Sequence, residues 1–350
     1  MNEPRKWSLD ALRREPAPIR ISREDLVEVS EPSTGDTLPV VVQARRTDID
    51  LAAWARANRP FIERRLLQNG AVLFRKFGVM TIEQFDECAA AVIDRRLKYR
   101  YRASPRTSVG NNIYTSTDYP SQFPIFPHNE HGYSPVFPLR LAFGCLQPPV
   151  AGGQTPIGDI RQIAARIPKN IKDRFLRMGI MYVRNFSPGL GVPWEISFDT
   201  SDKGEVERYC REHDISCEWL SDGRLRTCRV GPAFVQHPLL KESIWFNHAA
   251  FYHHSSLVDS VREDLYKLCP VDEWPNNTYY GDGTPIEAEV AESLRAAYEQ
   301  EMKVFDWMRG DVLVMDNMLA VHARAAYTGD RRIVVAMGDE VNAEPFRRIK

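Results

Sequence analysis

Two hydrophobic periods alternate along this chain, and their changeovers mark its elements. Leu38-Pro39-Val40-Val41-Val42 is a short, nearly continuous apolar run and predicts a strand. From Thr47 or Asp48 the period lengthens, and Leu51, Trp54, Ile62 and Leu66 share one helical face. Ala71-Val72-Leu73-Phe74, bounded by Gly70 and Gly78, predicts a second strand. Thr81-Ile82-Glu83-Gln84 has capping-box spacing and predicts a helix running to about Leu97. The pattern then breaks. From Ser104 to Gln122 polar and turn-forming residues dominate, with Tyr114 and Tyr119 among them, which predicts a long polar loop. Such loops often cover or line binding sites, and residues 105–122 are expected to act as a lid.

Beyond the loop, Pro124 to about Asp159 is strand-rich. Leu139–Leu146 mixes alternation with continuous apolarity, as a strand inside a barrel does. Helices are expected from Asp159 and Pro168, and Met181-Tyr182-Val183 returns to strand. Residues 187–232 read as an irregular insertion containing a hairpin that turns at Asp222-Gly223. Thr284-Pro285-Ile286-Glu287 has the spacing of a second capping box, opening a helix to about Phe305. Three strands close the chain: Asp311–Asp316, Leu319–Ala325 and Arg331–Met337. Residues 1–35, charged and proline-punctuated, predict a partly ordered leader, and 36–350 a single domain. The fold class this order implies is α+β: a β-barrel or sandwich with flanking helices and an insertion.

Composition narrows the partners. Basic and acidic residues nearly cancel, 46 against 47, which gives no support to nucleic acid or an anionic membrane as partner. No apolar run approaches the roughly 20 residues that span a bilayer, and no secretory signal is visible at the start. The six cysteines are scattered without a C-x-x-C pair and read as reduced thiols, which predicts a cytoplasmic protein. A small-molecule substrate is the expected partner, and a homo-oligomer stays open.

The candidate chemistry lies in His128-Asn129-Glu130 and in His322. On an extended segment the first and third residues of H-x-E point the same way. Two imidazoles and one carboxylate on one face of a metal leave the opposite face open, the ligand set of non-haem Fe(II) oxygenases. Arg331 and Arg332 follow His322, and strand alternation lets only one of them point inward. An inward arginine fork would hold the distal carboxylate of a metal-chelated 2-oxo acid, with Thr155 adding a hydroxyl. Arg324 is expected on the same strand face as His322, as a clamp for a substrate carboxylate or as a structural ion pair. Asn112, Tyr114 and Thr115 are candidates for lining the substrate pocket. His131 is expected to face away from Glu130. His253-His254 reads as ordinary surface or core histidine, because adjacent strand residues diverge.

In this order, His128-x-Glu130, Gly152-Gly153-Gln154-Thr155-Pro156, Asp316-Asn317, His322 and Gly329-Asp330-Arg331-Arg332 resemble the taurine dioxygenase-like (clavaminate synthase-like) family of Fe(II)/2-oxoglutarate oxygenases. The resemblance runs from about Gly70 to Gly338. It is similar in particular to the branch acting in natural-product biosynthesis, where members are often amino-acid hydroxylases. It implies a double-stranded β-helix (jelly-roll) barrel core. It implies Fe(II) on His128, Glu130 and His322, 2-oxoglutarate on Thr155 and one of Arg331 and Arg332, and O2 as oxidant. Hydroxylation of an unactivated C–H bond would release succinate and CO2, with desaturation and epoxidation open to the same oxidant. The taurine enzyme has aspartate where Glu130 stands, and a further arginine where this chain has Val335 or Ala336. Related halogenases carry a small residue at the position of Glu130, so the glutamate favours oxygen transfer. The substrate class implied is an amino acid or a derivative, free or tethered to a carrier protein.

Two readings of other classes compete. His128, Glu130 and His322 also suit a zinc hydrolase, although the chain has no H-E-x-x-H helix and that reading leaves the Thr155–arginine site unused. The other is a non-catalytic barrel that binds a metabolite, for which metal occupancy is the test.

Overall fold

The computed structural model describes residues 26–346 apart from 98, 99, 105, 117 and 118. Its centre is an eight-stranded sheet in the order Val27–Ser30, Val40–Ala44, Ala71–Arg75, Val312–Asp316, Val136–Gln147, Arg332–Asn342, Ile113–Thr115 and Ser108–Gly110. All neighbours are antiparallel except the second and third strands, which run parallel. The sheet is therefore mixed in an otherwise helix-bearing fold.

The central strands are apolar on both faces because both faces are covered. Val312, Val314, Val334 and Ala336 pack with Trp54, Ile62, Leu66 and Phe85 of three helices, Leu51–Ala57, Arg59–Asn69 and Ile82–Val92. Their alternates Leu313, Met315, Ile333, Val335 and Met337 face the other way, together with Ile157 and Ala320. Those two residues belong to a three-stranded sheet in the order Ile125–His128, Ala320–Arg324, Ile157–Asp159. The small sheet carries the H-x-E histidine and His322, so the site lies between two facing sheets.

Several local expectations change. The helix expected from residue 47 or 48 is two helices, because Pro60 starts a second one after Asn58. The Thr81–Gln84 capping box forms reciprocally. The box expected at Thr284 does not form. Thr284 instead bonds Asp282, and the helix starts at Ala288. Val27–Ser30, inside the expected leader, is an edge strand of the large sheet, and residues 1–25 lie outside the described part. Part of the expected polar loop is a hairpin, Ser108–Gly110 with Ile113–Thr115, turning through Asn111 and Asn112. Both asparagines adopt positive φ, 49° and 55°, as a type I′ turn requires. Residues 187–232 hold two helices, Trp194–Phe198 and Lys203–Glu212. Their expected hairpin, Ser216–Trp219 with Leu225–Gly231, pairs onto Ile180–Phe186. Among the described residues no helix is long and apolar enough to cross a membrane.

Candidate metal centre and its two adjoining pockets

His322 and His128 are direct partners across antiparallel strands, which brings their rings to 4.5 Å between centroids. Glu130 does not reach them by strand alternation. The strand ends at His128, and Glu130 lies in the turn that follows. Asn317 places it. The Glu130 N–H donates to Asn317 Oδ1 (2.7 Å), and Asn317 Nδ2 donates to the Glu130 carbonyl (2.9 Å) and to that of Pro138 (2.8 Å). Asp316, one residue earlier, accepts from the Met318 and Leu319 N–H groups and from Arg140, fixing the turn that enters the His322 strand.

One ligand atom from each of His128, Glu130 and His322 lies within 4.8 Å of the others. His128 Nδ1 is 2.8 Å from the Phe126 carbonyl, a bond that places the proton there and leaves Nε2 for a metal. The ring is also stacked on Phe251 at 4.3 Å and 7°. His322 Nε2 is 3.8 Å from Glu130 Oε2. Burial on its own would raise the Glu130 carboxyl, but the charge of the Arg106 guanidinium, the largest opposing influence, helps hold the group well below the usual carboxylate range. Burial pushes His128 down, and pushes His322 far down with His128 adding to the effect. Two neutral imidazoles and an ionised carboxylate are the protonation states a divalent metal needs. The donor set fits Fe(II).

Beside the triad lies a narrow pocket bordered by His128, His322, Thr155, Ser116 and Arg331. Arg331 points inward and Arg332 is exposed. The Arg331 guanidinium donates to the Gly153 carbonyl (2.9 Å), Ser116 Oγ (3.1 Å) and Thr155 Oγ1 (3.4 Å), all neutral partners. Trp307 Nε1 donates to the same Thr155 oxygen at 2.9 Å. Burial lowers Arg331 to about 10, still charged at neutral pH. A half-buried cation among neutral donors and acceptors is a site for an anion.

A cavity of about 850 Å³ opens on the other side of His128 and Glu130. Its walls are mostly apolar, among them Tyr119, Phe126, Phe251, Leu265, Trp274 and Met302. That volume lies within the range of pockets for drug-sized ligands.

Other expected residues are placed differently. Asn112 lies in the hairpin turn, Tyr114 in the core, and Thr115 accepts from the Thr107 N–H, and none of the three borders either space. Arg324 borders both, but its guanidinium donates to the carbonyls of Tyr119, Pro120 and Phe123 and so ties down the segment before the triad. His131 does not turn away. A positive φ of 59° brings its Nε2 to 3.9 Å from Glu130 Oε1. His253 and His254 have their rings together at 4.3 Å, and His253 caps a short 3₁₀ turn.

Sequence reasoning missed Arg106, His248 and Phe251, and gave Asn317 no role of its own. Arg106 Nη2 donates to Glu130 Oε2 at 2.8 Å. His248 Nε2 lies 2.7 Å from the Asn129 carbonyl. Neither residue has a spacing that links it to the triplet, whereas Asn317 stood within the quoted Asp316-Asn317 pair.

The model of the taurine catabolism dioxygenase TauD, TfdA family matches residues 30–337. Among curated proteins, the dapdiamide synthesis protein DdaC of Enterobacter agglomerans is 37% identical over 280 residues, covering 80% of this chain and 85% of that protein. A clavaminate synthase-like protein of Arabidopsis thaliana is 28% identical over 293 residues, covering 81% and 85%. Among solved structures, PvcB of Pseudomonas aeruginosa superposes with a TM-score of 0.52 at 12% identity over 89% of this chain and 90% of its own. AAD-2, solved with Mn(II) and N-oxalylglycine, gives 0.51 at 12% over 91% and 98%. Both share the fold.

Proposed function

The chain belongs to the TauD, TfdA dioxygenase family, and from that premise we propose that it uses Fe(II) and 2-oxoglutarate to hydroxylate an unactivated C–H bond of an amino-acid-derived natural-product intermediate. The facing eight- and three-stranded sheets are read as the double-stranded β-helix that holds such sites. The observation that carries the proposal is the pairing of the His128–Glu130–His322 cluster with the half-buried cation of Arg331 across one narrow pocket. A 2-oxo acid chelated at the cluster would present its distal carboxylate to Arg331, with the Thr155 and Ser116 hydroxyls beside it. Arg332, outside the pocket, has no part.

With O2, the iron and its co-substrate supply the oxidising chemistry, releasing succinate and CO2. The protein's own contribution is placement. His128 and His322 offer neutral nitrogens, and Glu130 offers a fixed negative charge. Phe251 covers one face of the His128 ring, and mostly apolar walls line the side where substrate would enter. The cavity favours a substrate larger than a small free amino acid, such as an N-acylated or amide-linked derivative. The dapdiamide relative, named for a synthesis pathway, supports that class. A zinc hydrolase would have no use for the Arg331 pocket.

The test is 2-oxoglutarate turnover by the iron-loaded protein over a panel of free and acylated amino acids, read as substrate-dependent succinate release. His128→Ala and Glu130→Ala should abolish turnover and leave the circular dichroism spectrum unchanged. Full activity in either variant would overturn the assignment.

A further inference from the structure

We propose that Trp307 is a positioning residue for the narrow pocket: its indole N–H fills an acceptor site on Thr155 Oγ1, so that the Thr155 hydroxyl keeps its own proton for the distal carboxylate of 2-oxoglutarate. The inference rests on the function proposed above and concerns a residue outside every motif that marked the site in the sequence.

Three observations carry it. The first is the count of donors on one oxygen. Thr155 Oγ1 receives Trp307 Nε1 at 2.9 Å and Arg331 Nη2 at 3.4 Å. A hydroxyl has two lone pairs and one proton, whereas an indole nitrogen and a guanidinium can only donate. With both lone pairs faced by donors, the direction of the Thr155 hydroxyl is set, and its proton is what it has left to offer. Thr155 borders the narrow pocket.

The second is the rigidity of the support. The Trp307 ring is 6% exposed, lies 5.0 Å from that of Phe305 and belongs to a buried cluster with Phe143, Leu313 and Ile333. Its segment is laced to the one that carries Thr155. Ile157 and Lys303 exchange backbone bonds at 2.9 and 2.7 Å, and Gln154 Nε2 donates to Asp306 Oδ1 at 3.0 Å. Residues 154 and 155 thus meet residues 306 and 307 side chain to side chain.

The third is that Ser116, the other hydroxyl of this pocket, has the same polarity, because its Oγ accepts from Arg331 at 3.1 Å. Both hydroxyls therefore hold a proton for a ligand acceptor, and an ionised carboxylate only accepts. A structural reason alone explains less. A buried indole N–H needs one acceptor, and a backbone carbonyl serves that need in an ordinary core. A hydroxyl at a pocket wall also hands the polarity on, accepting on one side and donating on the other.

The experiment titrates the full chain, loaded with Fe(II) under anaerobic conditions, with 2-oxoglutarate and with 2-oxopentanoate. The second acid keeps the chelating end and has a methyl group in place of the distal carboxylate. The wild type should prefer 2-oxoglutarate by roughly a hundredfold. Trp307→Phe should cut that preference by about three- to tenfold, and Thr155→Ala by about tenfold. The double variant should fall no further than Thr155→Ala, because Trp307 acts through Thr155. An undiminished preference in Trp307→Phe, or losses that add in the double variant, would overturn the proposal. If Trp307→Phe does not fold, the crystal structure of the wild type with Mn(II) and 2-oxoglutarate decides. Thr155 Oγ1 within hydrogen-bond distance of both Trp307 Nε1 and the distal carboxylate supports the proposal, and the loss of either contact overturns it. A wild type that binds the two acids equally well would instead overturn the 2-oxoglutarate reading itself, which separates the two failures.

Discussion

Asn317 holds Glu130 by its backbone at two points, accepting the N–H at 2.7 Å and donating to the carbonyl at 2.9 Å. The same side chain also donates to the Pro138 carbonyl. All these groups are buried, so Asn317→Ala strands a Glu130 N–H and two carbonyls away from water. Each stranded group costs about 1–3 kcal/mol. The expected outcome is a thermal midpoint lowered by several degrees and weaker Mn(II) binding, because the turn that presents Glu130 is no longer fixed. Asn317→Asp keeps the acceptor and loses the donors, and should fall between the two. Calorimetric unfolding together with Mn(II) titration checks both effects. An alanine variant with wild-type metal affinity would show that Glu130 is positioned by other means.

Arg331 and Arg332 are adjacent in sequence and different in environment, one half-buried against Thr155 and the other exposed. Arg331→Gln should weaken 2-oxoglutarate binding to the metal-loaded protein by roughly a hundredfold, the loss of a charge-assisted pair worth about 1.5–3 kcal/mol or more. Arg332→Gln should change it less than about twofold. Thr155→Ala should cost roughly tenfold. Anaerobic titration of 2-oxoglutarate gives all three affinities. Equal losses at positions 331 and 332 would refute the inward assignment of Arg331.

The difference between these two arginines illustrates what the chain reveals directly. Alternation required that one of the pair face inward, but it could not say which, because the register shifts between Arg332 and Ile333 where this strand meets Val136–Gln147. The central strands were legible because burial on both faces writes them as unbroken apolar runs. The ligand triplet was legible because its spacing and its distant partner form an ordered set. The roles of Arg106, Asn317 and His248 were not, because each depends on a contact between segments far apart in sequence, and one polar residue in a loop carries no period. The box at Thr284 failed for a related reason. Its threonine met a nearer partner, Asp282, and the Tyr279–Pro285 bridge holds the segment out of the helix.

His248 leads to a pH prediction. Its Nε2 faces the Asn129 carbonyl, an acceptor, so that nitrogen carries a proton. Burial, reinforced by His128, lowers its pKa to about 3, and burial lowers His131 to about 4 despite the Glu130 charge. In the unfolded chain both rings titrate at the ordinary value near 6.5. Between these limits the unfolded state binds more protons than the folded one, so stability rises with pH in that window. The contribution is fully present above about 6.5 and is lost progressively as pH falls toward 3–4. His248→Gln keeps a donor for Asn129 and removes the titrating group. The expected outcome is a variant less stable than the wild type at pH 7.5 but with a flatter decline between pH 6.5 and 4. Thermal unfolding of the metal-free protein across that range checks it, and a variant whose decline stays as steep as the wild type's would show that His248 is not among the groups that set acid sensitivity.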